Sequence, residues 1–172
     1  SSTTTTTTEV EGTWTTSCFL SGSFYRINTI TVTGTDVVVK YEWHTDSSCS
    51  TDSTLWEDTY DSLSIGDEVT FSDATKGHKF TLEVVSFKLT LQTASAVSVY
   101  NSVNYCGYSD WELNVAKDIT GKTCEGATNM SANTKLLSRY KNESSNTIQL
   151  GSFNIESDGY PSGVFSVDYT KQ

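Results

Sequence analysis

The chain has 172 residues, of which 35% are hydrophobic and 12% are aromatic. This length fits one domain, which at this size buries roughly 70% of the surface that its unfolded chain exposes. The 11 lysines and arginines against 21 aspartates and glutamates give a formal net charge of -10. A charge of this sign repels phosphate backbones, so the composition argues against nucleic acid as a partner.

The first eight residues are two serines followed by six threonines. A tract of this composition has no apolar periodicity and cannot supply a core element. We predict a disordered tether over residues 1–9, typical of an exported protein whose signal and membrane anchor have been removed. A disordered terminus with no tethering role is the alternative. Residues 10–172 are predicted to form a single domain.

The clearest strand pattern falls between residues 24 and 44. Charged residues occupy positions 40 and 42, and the residues that alternate with them are apolar or aromatic: Val37, Val39, Tyr41 and Trp43. This alternation is typical of a strand with one face in a core and the other in water. A short connector containing Gly34 and Asp36 separates this run from the preceding one, and the two runs are predicted to form a hairpin.

Strand patterns continue through the middle of the chain. The alternation slips by one residue after Val84, which predicts a bulge or a tight corner in the sheet. From Ser95 onward apolar residues recur at helical spacing, which predicts one short helix near residues 95–104 with Ser95 as its N-cap. The strands predicted here are residues 55–62, 69–71 and 78–91, with a turn at 65–67.

The last third of the chain adds further short strands, for a total of eight to ten. They are predicted over residues 111–115, 136–141, 147–153 and 163–169. The pattern predicts an all-β antiparallel meander, either a closed barrel or a sandwich. We favour the barrel, because closure removes the unpaired edges that consecutive hairpins would otherwise leave.

The four cysteines lie at positions 18, 49, 106 and 124, without a Cys-x-x-Cys pair. Their even number favours disulfides in an oxidising compartment over a zinc site. Three connectivities are possible, and we predict Cys18 with Cys49 and Cys106 with Cys124, because each pair brackets a local unit. The expected location is extracytoplasmic: periplasmic, secreted or anchored as an outer-membrane lipoprotein.

Several short motifs resemble those of known families. Gly12-Thr13-Trp14 near the start of the meander resembles the Gly-x-Trp signature of the calycin superfamily, which includes lipocalins and avidins. A longer arrangement resembles the repeated domain of the secreted Wnt antagonists down-regulated by the adenomatous polyposis coli pathway. It comprises Glu11 to Trp14, Cys18, Phe24-Tyr25-Arg26, Tyr41, Asp46 and Cys49.

A second set of segments resembles small secreted bacterial lipoproteins with a lipocalin-like barrel: residues 104–107, 110–111 and 158–161. These resemblances imply a lipocalin-like β-barrel that binds an apolar or amphipathic molecule, such as a lipid or acyl chain. They also imply a barrel plug in which Arg139 packs over Trp14 beside Gly12. The Thr-Asp-Tyr motif of lipocalins is absent in that form.

No motif for catalysis is found in the sequence. The only histidines are His44 and His78, and there is no Gly-x-Ser-x-Gly turn, phosphate-binding loop or His-Glu-x-x-His helix. We therefore predict a protein that is not an enzyme and that uses no cofactor and no metal.

The aromatic residues allow two functional hypotheses. In the first, inward residues line a cavity for a small hydrophobic ligand, and the candidates are Ile30, Val39, Tyr41, Trp43, Phe80, Leu82 and Phe87. In the second, the core is filled and exposed aromatics such as Trp56, Tyr60, Tyr108 and Trp111 serve a carbohydrate-binding or adhesive module. Contact with a membrane is expected only through an N-terminal anchor outside this sequence.

Overall fold

The computed structural model of the protein describes residues 9–172, and within them the chain forms twelve strands and one α-helix. The helix, α1, spans Ala94–Ser102, and a 3-10 turn follows at Tyr105–Gly107. The strands are β1 (Gly12–Thr15), β2 (Phe19–Ser21), β3 (Phe24–Thr33), β4 (Asp36–His44), β5 (Asp52–Thr70), β6 (Lys76–Leu91), β7 (Ala116–Asp118), β8 (Thr123–Cys124), β9 (Ala127–Thr128), β10 (Lys135–Ser144), β11 (Thr147–Leu150) and β12 (Tyr169–Lys171).

Eight of these strands form a closed antiparallel barrel, in the order β1-β12-β11-β10-β6-β5-β4-β3. The ring closes at β1, which pairs with β12 on one side and with β3 on the other. Trp14 lies opposite Lys171 in the first pairing and opposite Ile30 in the second. The predicted all-β barrel with one short helix is therefore confirmed.

The inner surface of the barrel follows the alternation read from the sequence. Between β3 and β4, Ile30 lies opposite Val39 and Val32 lies opposite Val37, and all four side chains are buried. Facing residues on neighbouring strands thus put apolar side chains on the same face, and together they form the barrel interior.

The longest hairpin, β5–β6, differs from the prediction at two places. Residues 65–67 are not a turn but part of β5, which runs on to Thr70 through irregular pairing around Ser62, whose φ is 55°. The predicted slip on β6 is confirmed, because Thr59 pairs with Ser86 and Tyr60 pairs with Val84. Val85 has no partner in this ladder, and the resulting bulge reverses which parity faces inward.

The segment between β6 and β10 packs beside the barrel. Helix α1 begins one residue before the predicted range and is capped by Thr93, whose hydroxyl accepts a hydrogen bond from the Ala96 N–H at 3.1 Å, and not by Ser95. The strand predicted at residues 111–115 is absent, and β7 lies just after it. Strand β7 pairs with residues 88–90 of β6, beyond the part of β6 that pairs with β10.

Two disulfides join Cys18 to Cys49 and Cys106 to Cys124, as predicted. The first connects the chain after β1 to the loop between β4 and β5, and the second lies within the segment between β6 and β10. Disulfides persist in oxidising compartments, so the protein belongs to an extracytoplasmic environment.

Within residues 9–172, no helix is both long enough and apolar enough to cross a membrane.

Trp14 offers a direct test of this packing, because only 2% of its surface is exposed. Replacing Trp14 with alanine should reduce the free energy of unfolding by about 3–5 kcal/mol, since the truncation removes buried ring area and leaves a void. Urea unfolding measures the loss. Leu20→Ala, at a side chain that is 62% exposed, is the control and should change stability by less than about 0.5 kcal/mol. Equal effects of the two substitutions would contradict the packing described.

Candidate functional site

A cavity of about 630 Å³ lies inside the barrel. Ligand pockets for small molecules are about 300–1,000 Å³ in volume, so this space has the size of a binding site. Most of its wall consists of aliphatic and aromatic side chains from the inner face of the strands, together with residues of the segment between β11 and β12. The cavity is therefore the strongest candidate for a functional site.

One end of the cavity is closed by the residues that precede β1. The Trp14 indole N–H donates a hydrogen bond to the Val10 carbonyl oxygen at 2.9 Å, and both side chains line the cavity. The Glu11 carboxylate accepts a hydrogen bond from the Gly34 N–H at 3.0 Å, which ties this segment to the turn between β3 and β4. These contacts form a floor at that end of the barrel.

Glu9 belongs to the same floor, although it was predicted to lie in the disordered tether. Its carboxylate accepts hydrogen bonds from the Tyr140 hydroxyl at 2.5 Å and from the Asn142 amide at 2.7 Å. The rest of the predicted tether, residues 1–8, lies outside the residues that the structure describes.

The opposite end of the cavity is bordered by the segment that joins β11 to β12. Phe153, Ile155 and Phe165 from this segment line the cavity and are nevertheless exposed, Phe153 to 87%. The Phe153 and Phe165 rings contact each other edge to face, with their centroids 4.8 Å apart. The open end of the barrel thus has an apolar rim.

Arg26 is the one charged residue among those that line the cavity. Its guanidinium carbon lies 5.1 Å from the Phe19 ring centroid, 5.3 Å from that of Tyr41 and 4.8 Å from that of Trp43. Cation–π attraction to three rings stabilises the guanidinium at this position, but the rings carry no negative charge to balance it. The Arg26 Nε is buried and has no hydrogen-bond partner among residues 9–172.

Polar groups continue inward from Arg26. Asn28 is 2% exposed, and its side-chain amide donates a hydrogen bond to the Tyr169 hydroxyl oxygen at 2.8 Å, while its Oδ1 has no partner within the described part of the chain. Burial raises the pKa of the Tyr41 and Tyr169 hydroxyls above their usual range. Both phenols therefore stay protonated at neutral pH and can donate hydrogen bonds.

A second, smaller cavity of about 260 Å³ adjoins Tyr60. Asp58 lines this space and accepts a hydrogen bond from the Tyr60 hydroxyl at 3.2 Å. Burial disfavours the charged carboxylate and raises the pKa of Asp58 to about 6. The lining of the main cavity does not include Asp58, although Tyr60 lines both cavities.

The structure brings five of the seven predicted cavity residues together around the main cavity: Ile30, Val39, Tyr41, Phe80 and Leu82. The other two, Trp43 and Phe87, are not part of its lining. The Trp43 ring packs against the Arg26 guanidinium and against the edge of the Phe24 ring. Phe87 lies beyond the bulge on β6, where it packs against Tyr60 and faces the smaller cavity.

Two residues of the predicted barrel plug, Gly12 and Trp14, lie on β1. The third, Arg139, does not pack over Trp14 as predicted. Arg139 lies on β10, whose neighbours are β6 and β11, so it is not adjacent to Trp14. Its guanidinium instead lies 3.3 Å from the Glu156 carboxylate. Lys171 covers Trp14, with its ammonium nitrogen 5.2 Å from the ring centroid.

Gly12 adjoins the same lysine. Its φ is 111°, and an added Cβ would lie 3.3 Å from the Lys171 side chain. Glycine is therefore favoured at this position by backbone conformation as well as by space.

Sequence reasoning missed Arg26 and Asn28 as cavity residues. Both share the parity of Ile30, since all three occupy even positions on β3. Polar residues on an otherwise apolar parity were the available signal, because a buried polar side chain on a strand needs an explanation.

The aromatic residues considered as sugar platforms are packed among other groups. Trp111 is 2% exposed and lies 5.6 Å from the Tyr108 ring centroid and 5.9 Å from that of Tyr100. The Lys117 and Lys122 ammonium groups lie over Tyr108. These rings anchor the segment between β6 and β10 and present little free aromatic face.

The loop between β4 and β5 is organised around Asp46. Hydrogen bonds from the Ser48 and Ser50 hydroxyls, and from the Thr51 and Ser50 backbone N–H groups, hold the pKa of its carboxyl well below the usual range. Among residues 9–172, no group of three or more histidine, cysteine, aspartate or glutamate side chains is arranged to hold a metal ion.

Comparison with known proteins gives no family for this chain: no protein-family model matches it, and no curated protein is similar to it. The function is therefore inferred from the cavity and its side chains.

The raised pKa of Asp58 predicts an unusual pH dependence of stability. The ordinary carboxyl pKa is 3.8 and the folded value is about 6, so unfolding releases a proton between these two values. Stability contributed by this position is therefore highest below about pH 4 and falls as the pH rises through 6, by about 2–3 kcal/mol at pH 7.

Asp58→Asn removes this titration. Urea unfolding measures the difference in the free energy of unfolding between the variant and wild type. We expect this difference to be constant below about pH 4 and to shift by about 2 kcal/mol in favour of the variant by pH 7. Asp67→Asn, at an exposed position of β5, is the control and should shift stability by less than about 0.5 kcal/mol throughout. A difference between Asp58→Asn and wild type that stays constant with pH would contradict the assignment.

Proposed function

We propose that this protein is an exported, non-enzymatic, lipocalin-like binding protein that holds a small hydrophobic or amphipathic ligand, such as a lipid or acyl chain, inside its barrel. The observation that carries the proposal is the apolar cavity of about 630 Å³, closed at the Trp14 end. Pockets of this size with mainly apolar walls and few polar groups are typical of small-molecule sites.

The shape of the cavity supports an elongated ligand. Inward residues on β3 run from Arg26 to Val32, a span of about 20 Å at the usual rise per residue of a strand. The apolar rim at Phe153 and Phe165 gives an apolar chain a surface along which to enter the barrel. The lipocalin-like label in this proposal refers to architecture, and the ligand class is inferred from the cavity itself.

We also propose where the protein acts. The two disulfides favour export to the periplasm, the cell surface or the medium. In this proposal the exported protein is a lipoprotein.

The alternative, a carbohydrate-binding or adhesive module with a filled core, has less support. Trp111 is buried, the Tyr108 ring is covered by lysines, and the barrel interior contains a cavity. Trp111 and Tyr108 therefore lack the solvent-open stacking faces that an adhesive function requires, and the exposed Phe153 and Phe165 rings border the cavity instead.

Cavity binding is tested by filling the cavity. Val39→Trp places an indole on the cavity wall, and we expect at least a tenfold loss of affinity for a fluorescent acyl-chain probe, because overpacking removes the space for the ligand. Lys40→Trp is the matched control: it puts the same side chain on the outer face of β4, at the next residue, and should leave the affinity unchanged.

Circular dichroism and urea unfolding establish that both variants fold before titration. Native mass spectrometry of protein purified without detergent gives an independent measurement, and a co-purified mass of lipid size supports the proposal. Equal affinity of the two variants, or the absence of saturable probe binding by wild type together with a ligand-free mass, would contradict it.

A further inference from the structure

We propose that the ligand is an acyl-chain amphiphile with an anionic head group, which binds at Arg26 and Asn28 while its chain extends toward Trp14. This inference rests on the proposed function and specifies the chemical class of the ligand. It follows from three features of the cavity: an unpaired cation, an incompletely bonded buried amide, and the separation of polar from apolar wall.

The first feature is the state of the Arg26 charge. The chain has 21 acidic residues, yet no carboxylate in residues 9–172 forms an ion pair with Arg26, whereas Arg139 and Lys141 are both paired. Arg26 contacts three aromatic rings instead, which leaves its N–H donors available to a ligand. A guanidinium matches the geometry of carboxylate and phosphate oxygens, so the group that fits here is an anion.

The second feature is Asn28, which is 2% exposed and lines the cavity two residues from Arg26 on the same face of β3. Within residues 9–172, only one of its two side-chain polar atoms is bonded, the amide nitrogen that donates to the Tyr169 hydroxyl. Oδ1 can only accept, so it can pair with a hydroxyl of the head group, whereas an anionic oxygen can pair only with the second N–H of the Asn28 amide. Buried polar groups left without partners are uncommon, and a ligand supplies the missing one.

The third feature is the distribution of polarity along the cavity. Arg26 and Asn28 lie toward the open end, with the protonated Tyr41 and Tyr169 hydroxyls beside them. From Ile30 toward the floor, the inward residues of β3 are apolar. A head group near the mouth and a chain directed at the floor satisfy both regions with one molecule.

Among residues 9–172, Asp58 forms no ion pair with Arg26, although both charges act on the Tyr41 hydroxyl. Asp58 lines the smaller cavity and is bonded to the Tyr60 hydroxyl. Arg26 is therefore the one charged side chain in the lining of the main cavity that a ligand would contact.

The test uses three probes with the same twelve-carbon chain and different head groups: dodecanoate, dodecanol and dodecyltrimethylammonium. Isothermal titration of the whole chain at pH 8 keeps the fatty acid ionised. We expect dodecanoate to bind at least tenfold more tightly than dodecanol, and the cationic probe to bind most weakly. This comparison needs no variant, so it does not depend on how a substitution at Arg26 affects folding.

Variants then assign the preference to one side chain. Arg26→Gln should abolish the preference for dodecanoate while leaving dodecanol binding within about threefold, and Arg26→Lys should restore part of it because the charge is retained. Lys40→Gln, which removes a cation from the outer face of β4, is the control and should keep the preference.

The outcomes separate this inference from the function on which it rests. If none of the three probes binds, the proposed cavity function fails. If all three bind with similar affinity, or if Arg26→Gln keeps the preference for dodecanoate, a hydrophobic ligand remains supported and the anionic head group is refuted.

Discussion

The structure depends on the closure of the barrel at β1. This strand has only four residues, yet it pairs with β3 and β12 at once and so joins the first strands of the ring to the last. Trp14 on β1 fills the floor, and the segment before it is bonded to β10 through Glu9 and to the β3–β4 turn through Glu11. Without these contacts the sheet would keep two open edges and the cavity would have no closed end.

The cavity has a polar region because not all the inward-facing residues of β3 are apolar. Ile30 and Val32 continue an apolar face that begins with Arg26 and Asn28 at the end of the strand nearer the mouth. Burying these groups costs free energy unless they are bonded. Aromatic rings offset part of this cost for Arg26, and Tyr169 offsets part of it for Asn28.

Strand alternation predicted the antiparallel meander, the hairpin of β3 with β4, and a bulge or corner after Val84, because each depends on the parity of neighbouring residues. The barrel was favoured over a sandwich because closure removes unpaired edges. It failed where the outcome depends on distant strands. Residues 65–67 look like a turn locally but continue β5 because β6 supplies partners for them. Arg139 could not be placed correctly without the strand order, which puts β11 and β12 between β10 and β1, and the arginine pairs with Glu156.

The same limit applies to the site. Ile30, Val39 and Tyr41 were predictable because they share the inward parity of a regular hairpin. Trp43 has that parity too, but it lies near the end of β4, where Arg26 covers it. Phe87 was misplaced because it lies beyond the bulge on β6. There β6 pairs with β7 instead of β10, and its inward side chains line a different part of the interior.

This exchange of neighbours on β6 also bears on how the chain can vary in evolution. Residues 92–134 contribute no strand to the eight-stranded ring, and their cross-link between Cys106 and Cys124 begins and ends within them. The segment is thus an insertion with its own internal restraint, attached along one edge of a strand that the ring already uses. Because no ring strand lies within this segment, a change in its length would leave the register of the ring unchanged, and we expect sequence divergence to concentrate there.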